Sequence, residues 1–443
     1  MLRDRTGRML VGLVAGTLAG TVAHLVAPGA PALEAVVHFV TEPVGAIFLR
    51  CLFMLVVPLL LSALALGVSG LGDVRELGRI GVRTLAYTVV VSSIAVGLGV
   101  GLVNLLRPGE GLAPALRAQL MSTPGRTLPA GAAPARTGGV DFFVQLVPAN
   151  PVRAMADGDM LAVMVFAVFL GVGLTLTRTD AARRLERGLE GLYDVVMQLL
   201  DVVLRLAPFA VACLLFTMTA RLGWEVVVQL GAYVGVVLLA LGIQQFGVYS
   251  LAVRWLGGMP PAQFFRGVRE AMLTAFSTAS SNATLPTALR VAETELHLPA
   301  TVSRFVLTIG STANQNGTAL FEGVTVLFLA QLYGVSLDLG QQLTVVLVCI
   351  LGGVGTAGVP AGSIPVVAMI LGMVGVPPEG IGLILGVDRL LDMCRTTLNV
   401  TGDLAAAVVV ARWEGPALRA GVPPGAPAAP GTLATGADRR GTG

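Results

Sequence analysis

Residues 388–403 read DRLLDMCRTTLNVTGD and lie inside a span, 380–411, that is otherwise apolar. Asp388, Asp392, Arg395, Asn399 and Asp403 are separated by four, three, four and four positions. At 100° per residue this spacing confines all five to an arc of roughly 80° on one helix. About 20 apolar residues suffice for a helix to cross a bilayer. Each charge at the centre of such a helix costs about 2.5–3.5 kcal/mol. The stripe therefore cannot face lipid. It must face protein, water or a ligand, and ionisable groups within a membrane helix mark function by default.

The rest of the chain agrees. Of 443 residues, 55% are hydrophobic and 12% are charged, against about 25% charged in an ordinary soluble protein. Mean hydropathy is +0.82. A soluble multidomain enzyme, a disordered chain, a collagen and a disulfide-rich secreted domain are excluded. The net charge of +3 is too small to suggest a nucleic-acid partner. Cys51, Cys213, Cys349 and Cys394 are scattered through apolar stretches and show no CxxC spacing, which predicts buried free thiols.

Candidate spans are 9–27, 44–68, 85–106, 160–177, 195–220, 226–253, 305–333 and 380–411. The first follows Arg3, Arg5 and Arg8 like a signal peptide, but further spans follow at once, so it reads as a first membrane helix. Two other apolar segments are interrupted. Residues 262–297 carry charge and a Ser/Thr/Asn/Pro cluster, and 341–377 are broken by several glycines with Pro360 and Pro365. Each reads as a re-entrant hairpin, since broken backbone at membrane depth must be buried in protein or line a cavity. The fold class expected is an all-α integral membrane protein with eight transmembrane helices, two re-entrant helical hairpins and inverted repeats. Residues 1–256 would supply six helices. Residues 257–412 would form a core of hairpin 262–297, helix 302–334, hairpin 341–377 and helix 379–412. Arg75, Arg79, Arg83, Arg178, Arg183, Arg184, Arg187, Arg254, Arg266 and Arg269 fall on one side of the alternating chain, which makes that side cytoplasmic. The Gly/Pro/Ala-rich loop 107–150 is then extracellular, and 413–443 read as a flexible cytoplasmic tail. Gly12, Gly16 and Gly20 form a small-xxx-small pattern that suits a close helix contact.

A second polar stripe lies in the seventh span, where Asn314, Thr318 and Glu322 are spaced by four. Asn314–Gln315–Asn316–Gly317–Thr318 is a poor helical run, and Asn399–Val400–Thr401–Gly402–Asp403 has the same shape. Both are expected to unwind, each after a hairpin, so the two halves look like copies. Paired interruptions of this kind point to a binding site near the bilayer midplane. Asp388, Asp392, Asp403 and Glu322 against Arg395 leave an excess of three negative charges. Buried charge must be paired, metal-bound or protonated, so sodium or protons are expected here. Arg395 offers a planar fork for a carboxylate and Asp392 an acceptor for an ammonium. The alternative is that the two simply pair with each other at i,i+3.

SSNATLP (ending at Pro286), NQNGT (314–318), GTAGVP (355–360) and DMCRTTLNVTGD (392–403) resemble motifs of the dicarboxylate/amino acid:cation symporter family, the glutamate and aspartate transporters. The resemblance spans roughly residues 8–412. Inverted repeats are a known property of that family, so the repeat and the resemblance count as one observation. The resemblance implies a homotrimer in which a mobile transport domain moves substrate against a static scaffold. It implies that Arg395 and Thr318 hold the side-chain carboxylate, Asp392 and Thr396 the amino group, and Asn399 with the backbone at Ser280 and Ser281 the α-carboxylate. Val359 and Ser363 would belong to the gating hairpin. Asn314, Asn399, Asp403 and Gly310 would form one sodium site, and Thr312 with the carbonyls from Gly353 to Thr356 another. Arg395 matches members that take acidic substrates, and Asp392 matches amino-acid carriers rather than the C4-dicarboxylate branch.

The chain departs from the family at a third sodium site, of Thr88, Ser92 and Asn316. The family motif is usually NMDGT, and here Gln315 and Asn316 replace Met and Asp, while Val91 replaces a threonine. That site is expected not to bind sodium. Glu322 matches the position that carries a proton in animal members. The reading is a symporter importing aspartate or glutamate with sodium and/or protons, with no other cofactor, in the lipid of a bacterial inner membrane. The runner-up is a succinate, malate or fumarate carrier. A membrane hydrolase built on Ser280, Ser281 and Asp392 lacks a plausible base, and a passive channel is the remaining class. Gly353–Gly358 matches GxGxxG but lies in a membrane segment without the strand–helix context of a dinucleotide site.

Overall fold

A computed structural model describes residues 5–27, 30–69, 74–111, 147–157, 160–177, 179–355 and 363–415. Among the described residues the chain is helical and forms no strand. The N-terminal part contains α1 (Arg5–Val26), α2 (Glu42–Met54), α3 (Val56–Ser69), α4 (Val74–Leu106), α5 (Met160–Leu176), α6 (Asp180–Leu222) and α7 (Glu225–Gly242). Two wide π turns, Ile243–Val248 and Ala252–Leu256, prolong α7.

The glycine pattern on α1 has a clear physical role. α1 crosses α6 so closely that a Cβ on Gly12 would fall on the Pro208 carbonyl, one on Gly16 on the Ala212 backbone, and one on Gly20 within 2.6 Å of the Phe216 carbonyl oxygen. α6 bends by 50° between Val203 and Arg205. Pro208 causes this, because its ring collides with the carbonyl four residues back and it offers no N–H to the helix. On the same helix Arg205 donates to Asp201 at 3.1 Å, the i,i+4 pair its spacing suggests. Of the four free thiols only Cys349 is fully buried, and the other three are partly exposed.

The C-terminal part begins with a helix–turn–helix, α8 (Pro261–Thr278) and α9 (Ser281–Thr294). Ala279 turns the corner in the left-handed region at φ 49°, and Ser280 caps α9 by accepting from the Ala283 N–H at 3.2 Å. α10 (Ala300–Ala313) and α11 (Asn316–Tyr333) are one span interrupted where Asn314 and Gln315 leave helical geometry at ψ 60° and 58°. α12 (Leu339–Gly355) and α13 (Ser363–Met373) form the arms of the second interrupted segment. α14 (Ile381–Glu414) completes the core.

One expectation is overturned. The span holding residues 399–403 does not unwind, and α14 runs unbroken for 34 residues. Asn399 directs its side chain across to α11 instead of competing for its own backbone, and the Thr401 hydroxyl donates back to the Thr397 carbonyl within the helix. The copies in sequence are therefore not copies in local geometry.

By length and composition, three described stretches can cross a bilayer: Pro31–Ser69, Ile80–Leu106 and Glu225–Leu256. The bent pair Asp180–Val203 and Arg205–Arg221 makes a fourth if it counts as one span. Residues 112–146 of the expected outer loop and 416–443 of the expected tail lie outside the described residues.

Candidate functional site

The site forms where the α10–α11 break meets the polar stripe of α14. Asp388, Asp392, Arg395, Asn399 and Asp403 are only 4%, 6%, 1%, 2% and 3% exposed, so the whole stripe faces protein. Arg395 donates from Nη2 to Asp392 Oδ1 at 2.8 Å. Its Nη1 lies 3.3 Å from Asp388 Oδ1. The guanidinium stacks on the Phe321 ring of α11, with Cζ 3.9 Å from the centroid. Nε makes no hydrogen bond, and Nη1 is held by the ion pair with Asp388. The fork is thus held flat and partly open, the arrangement that can receive a carboxylate. Thr396 is buried beside it.

Asn399 bridges the two helices. Its Oδ1 accepts from the Gly317 N–H at 2.7 Å, capping α11 from another element. Its Nδ2 donates to Thr318 Oγ1 at 3.1 Å and to Gln315 Oε1. Glycine is required at 317, since a Cβ there would sit 2.9 Å from the Arg395 carbonyl oxygen.

One turn further along, Asn314 Nδ2 donates to Asp403 Oδ1 at 2.8 Å, while Asn314 Oδ1 is buried without a partner. The Asp403 carboxylate lies on the Gly310 backbone, where a Cβ would come within 2.5 Å of it. A buried carboxylate beside an orphaned carbonyl oxygen suits a small hard cation, which takes oxygen ligands. The group around Asn316 is different. Ser92 donates to Asn316 Oδ1 at 2.5 Å, and Asn316 Nδ2 donates to Tyr249 Oη at 3.1 Å. This chain is neutral and internally satisfied, with an N–H donor where a cation would need an acceptor. The group supplies no charge to balance a cation. Thr88 is buried on the same helix as Ser92, one turn away.

Glu322 is fully buried, and neither carboxyl oxygen has a hydrogen-bond partner. α12 covers it: a Cβ on Gly352 would approach its Oε2 to 3.1 Å. Gly353 packs against the α11 break, 3.0 Å from the Ala319 Cβ by the same measure. Ser281 and Ser363, at the starts of α9 and α13, are buried with unpartnered hydroxyls. Thr356 and Val359 lie outside the described residues, as does the Thr312 side chain. Sequence reasoning did not single out Phe321, Gln244, Gln245 or Tyr249. The adjacent glutamines within an apolar span were a usable signal, but the aromatics were not.

Residues 6–413 match the family described as the sodium:dicarboxylate symporter family. The chain belongs to the sodium:dicarboxylate symporter family. It is 32% identical over 408 residues to the proton/sodium-glutamate symport protein of Bacillus subtilis, covering 92% of both chains. It is 33% identical over 407 residues to the proton/glutamate-aspartate symporter of Escherichia coli, again 92% of both. A C4-dicarboxylate transport protein of Rhodospirillum rubrum is 30% identical over 418 residues, covering 92% of this chain and 88% of that one. Membership of a symporter family and the apolar helices together make the chain an integral membrane protein.

Proposed function

We propose that this member of the symporter family imports acidic amino acids, aspartate or glutamate, coupled to sodium and/or protons. The observation that carries the substrate class is Arg395, buried beside Asp392 yet with Nε free of a hydrogen bond. The fork would take the side-chain carboxylate with Thr318. Asp392 and Thr396 would take the ammonium, and Asn399 with the α9 N-terminus at Ser280 and Ser281 the α-carboxylate. Val359 and Ser363 would belong to the gate. The names of the Bacillus and Escherichia relatives support this reading. The Rhodospirillum relative favours a second one, uptake of C4-dicarboxylates. Asp392→Ser separates the two, because a dicarboxylate brings no ammonium and its transport would survive the change.

Asp403, Asn314, Asn399 and Gly310 are proposed as one sodium site, and Thr312 with the carbonyls of Gly353 to Thr356 as a second. The Thr88–Ser92–Asn316 position would bind none. Glu322, buried without a partner, would carry a proton. The architecture proposed is eight membrane-crossing helices and two re-entrant hairpins, with residues 257–412 as the core of a moving domain and 1–256 supplying the scaffold and the rest of that domain. A homotrimer in a bacterial inner membrane, with both termini cytoplasmic, completes the reading.

Radiolabelled L-aspartate uptake into proteoliposomes, under sodium and proton gradients imposed separately, tests it. Uptake driven by a proton gradient in sodium-free buffer, and lost in Glu322→Gln, supports the proton role. Uptake driven by sodium alone, unaffected by Glu322→Gln, removes it. Succinate uptake in place of aspartate uptake would establish the second reading.

A further inference from the structure

At Ile243–Val248 the Tyr249 N–H donates to the Gln244 carbonyl, five residues back. The extra residue in the turn brings the Gln244 and Tyr249 side chains onto one face, a re-aiming that π turns commonly perform at functional sites. That face lies on α14 at Thr401, Gly402 and Asp403. Gln245 Nε2 donates to Thr401 Oγ1 at 3.0 Å. The Tyr249 hydroxyl occupies the space a Cβ on Gly402 would need. The same hydroxyl accepts from Asn316 Nδ2 at 3.1 Å, tying α7 to α11 as well as α14. Gln244 is fully buried with its side chain against the Tyr249 hydroxyl, and no well-formed hydrogen bond satisfies its amide. A buried amide without a well-formed hydrogen bond has a carbonyl oxygen that can accept from the water of a bound cation.

We propose that Gln244 and Tyr249 are positioning residues for a sodium ion at Asp403. Tyr249 packs on the α14 backbone at Gly402, immediately before the carboxylate, and Gln244 supports Tyr249 from the same segment. The proposal rests on the reading that Asp403 with Asn314 holds a coupling cation. Arg395 lies eight residues earlier on α14, about 12 Å along the axis at 1.5 Å per residue. Loosening the α7 clamp should therefore weaken sodium binding without touching the substrate fork.

The test uses the full chain, purified and reconstituted, with two readouts: the sodium-dependent rise in melting temperature, which needs no transport, and L-aspartate uptake. Tyr249→Phe keeps the ring and removes the hydroxyl. Gln244→Leu keeps the volume and removes the amide. In each, the sodium concentration at half effect is expected to rise about tenfold, while Vmax and the KM for L-aspartate at saturating sodium stay within twofold. Sodium midpoints within twofold of the parent in both Tyr249→Phe and Gln244→Leu would overturn the proposal. So would a proportional rise in the aspartate KM at saturating sodium, which marks general loosening. A parent chain whose melting temperature ignores sodium refutes the cation reading of Asp403 and this proposal together, whereas a responsive parent with variants of unchanged sodium midpoint refutes the proposal alone.

Discussion

Asn399 satisfies three groups at once, the Gly317 N–H, Thr318 Oγ1 and Gln315 Oε1, and all of them are buried. Removing it leaves the Gly317 N–H, in the first turn of α11, without an acceptor. Asn399→Ala is expected to lower unfolding stability by about 1–3 kcal/mol, read as a drop in the detergent melting temperature in the absence of substrate and cation. A fall no larger than that of an exposed-site control would show that water caps α11 instead. Arg395 makes a different argument, since its value lies in a flat fork stacked on Phe321. Arg395→Lys keeps the charge but has neither the fork nor the stacking plane. The KM for L-aspartate is expected to rise at least about tenfold, the equivalent of roughly 1.4 kcal/mol, and an unchanged KM would mean that charge alone binds the substrate. Arg395 and Asn399 were both legible from spacing within an apolar span. Tyr249 was not, because a tyrosine on a membrane helix looks the same in sequence whether it meets lipid or a neighbouring backbone.

At the scale of elements, α1 and α6 show how a weak sequence signal becomes a contact. Glycine is so common in this chain that GxxxG spacing alone says little. The crossing decides it, because Gly16 meets the backbone at Ala212, which cannot move aside, while Gly97 and Gly101 of α4 meet nothing within 4 Å. Gly16→Val is therefore expected to lower the melting temperature markedly, and Gly97→Val to leave it nearly unchanged. Equal effects would mean that close approach at Gly16 does not set the cost. The interruption at Asn314–Gln315 was also readable, from two asparagines and a glycine in one turn. The same reasoning failed at 399–403. Propensity describes what a segment does alone, and here α11 supplied partners for the Asn399 side chain that let α14 stay helical.

For the whole molecule, the question is how many cations move with each substrate. The neutral Ser92–Asn316–Tyr249 chain ties α4, α11 and α7 together through hydrogen bonds. Asn316→Asp would place a carboxylate there, and a buried carboxylate needs a counter-charge. The variant is expected to show a steeper dependence of uptake on sodium than the parent, read from the slope of initial rate against sodium concentration. A variant that still transports with an unaltered slope would show that the position cannot hold a cation even when charged.

The amino-acid order was enough to establish a helical membrane chain, a polar stripe that must be buried, two interrupted segments and the family. All of these follow from local quantities: hydropathy, helical period and short motifs. Only the packed structure decided which polar groups satisfy one another. It determined that Asn399 caps α11, that Arg395 lies between Asp388, Asp392 and Phe321, that Asn316 is closed off by Ser92 and Tyr249, and that Glu322 is left with no partner. Hydrogen bonds and ion pairs between helices depend on distances of a few tenths of an ångström across residues tens to hundreds apart in the chain, and no local pattern encodes those distances.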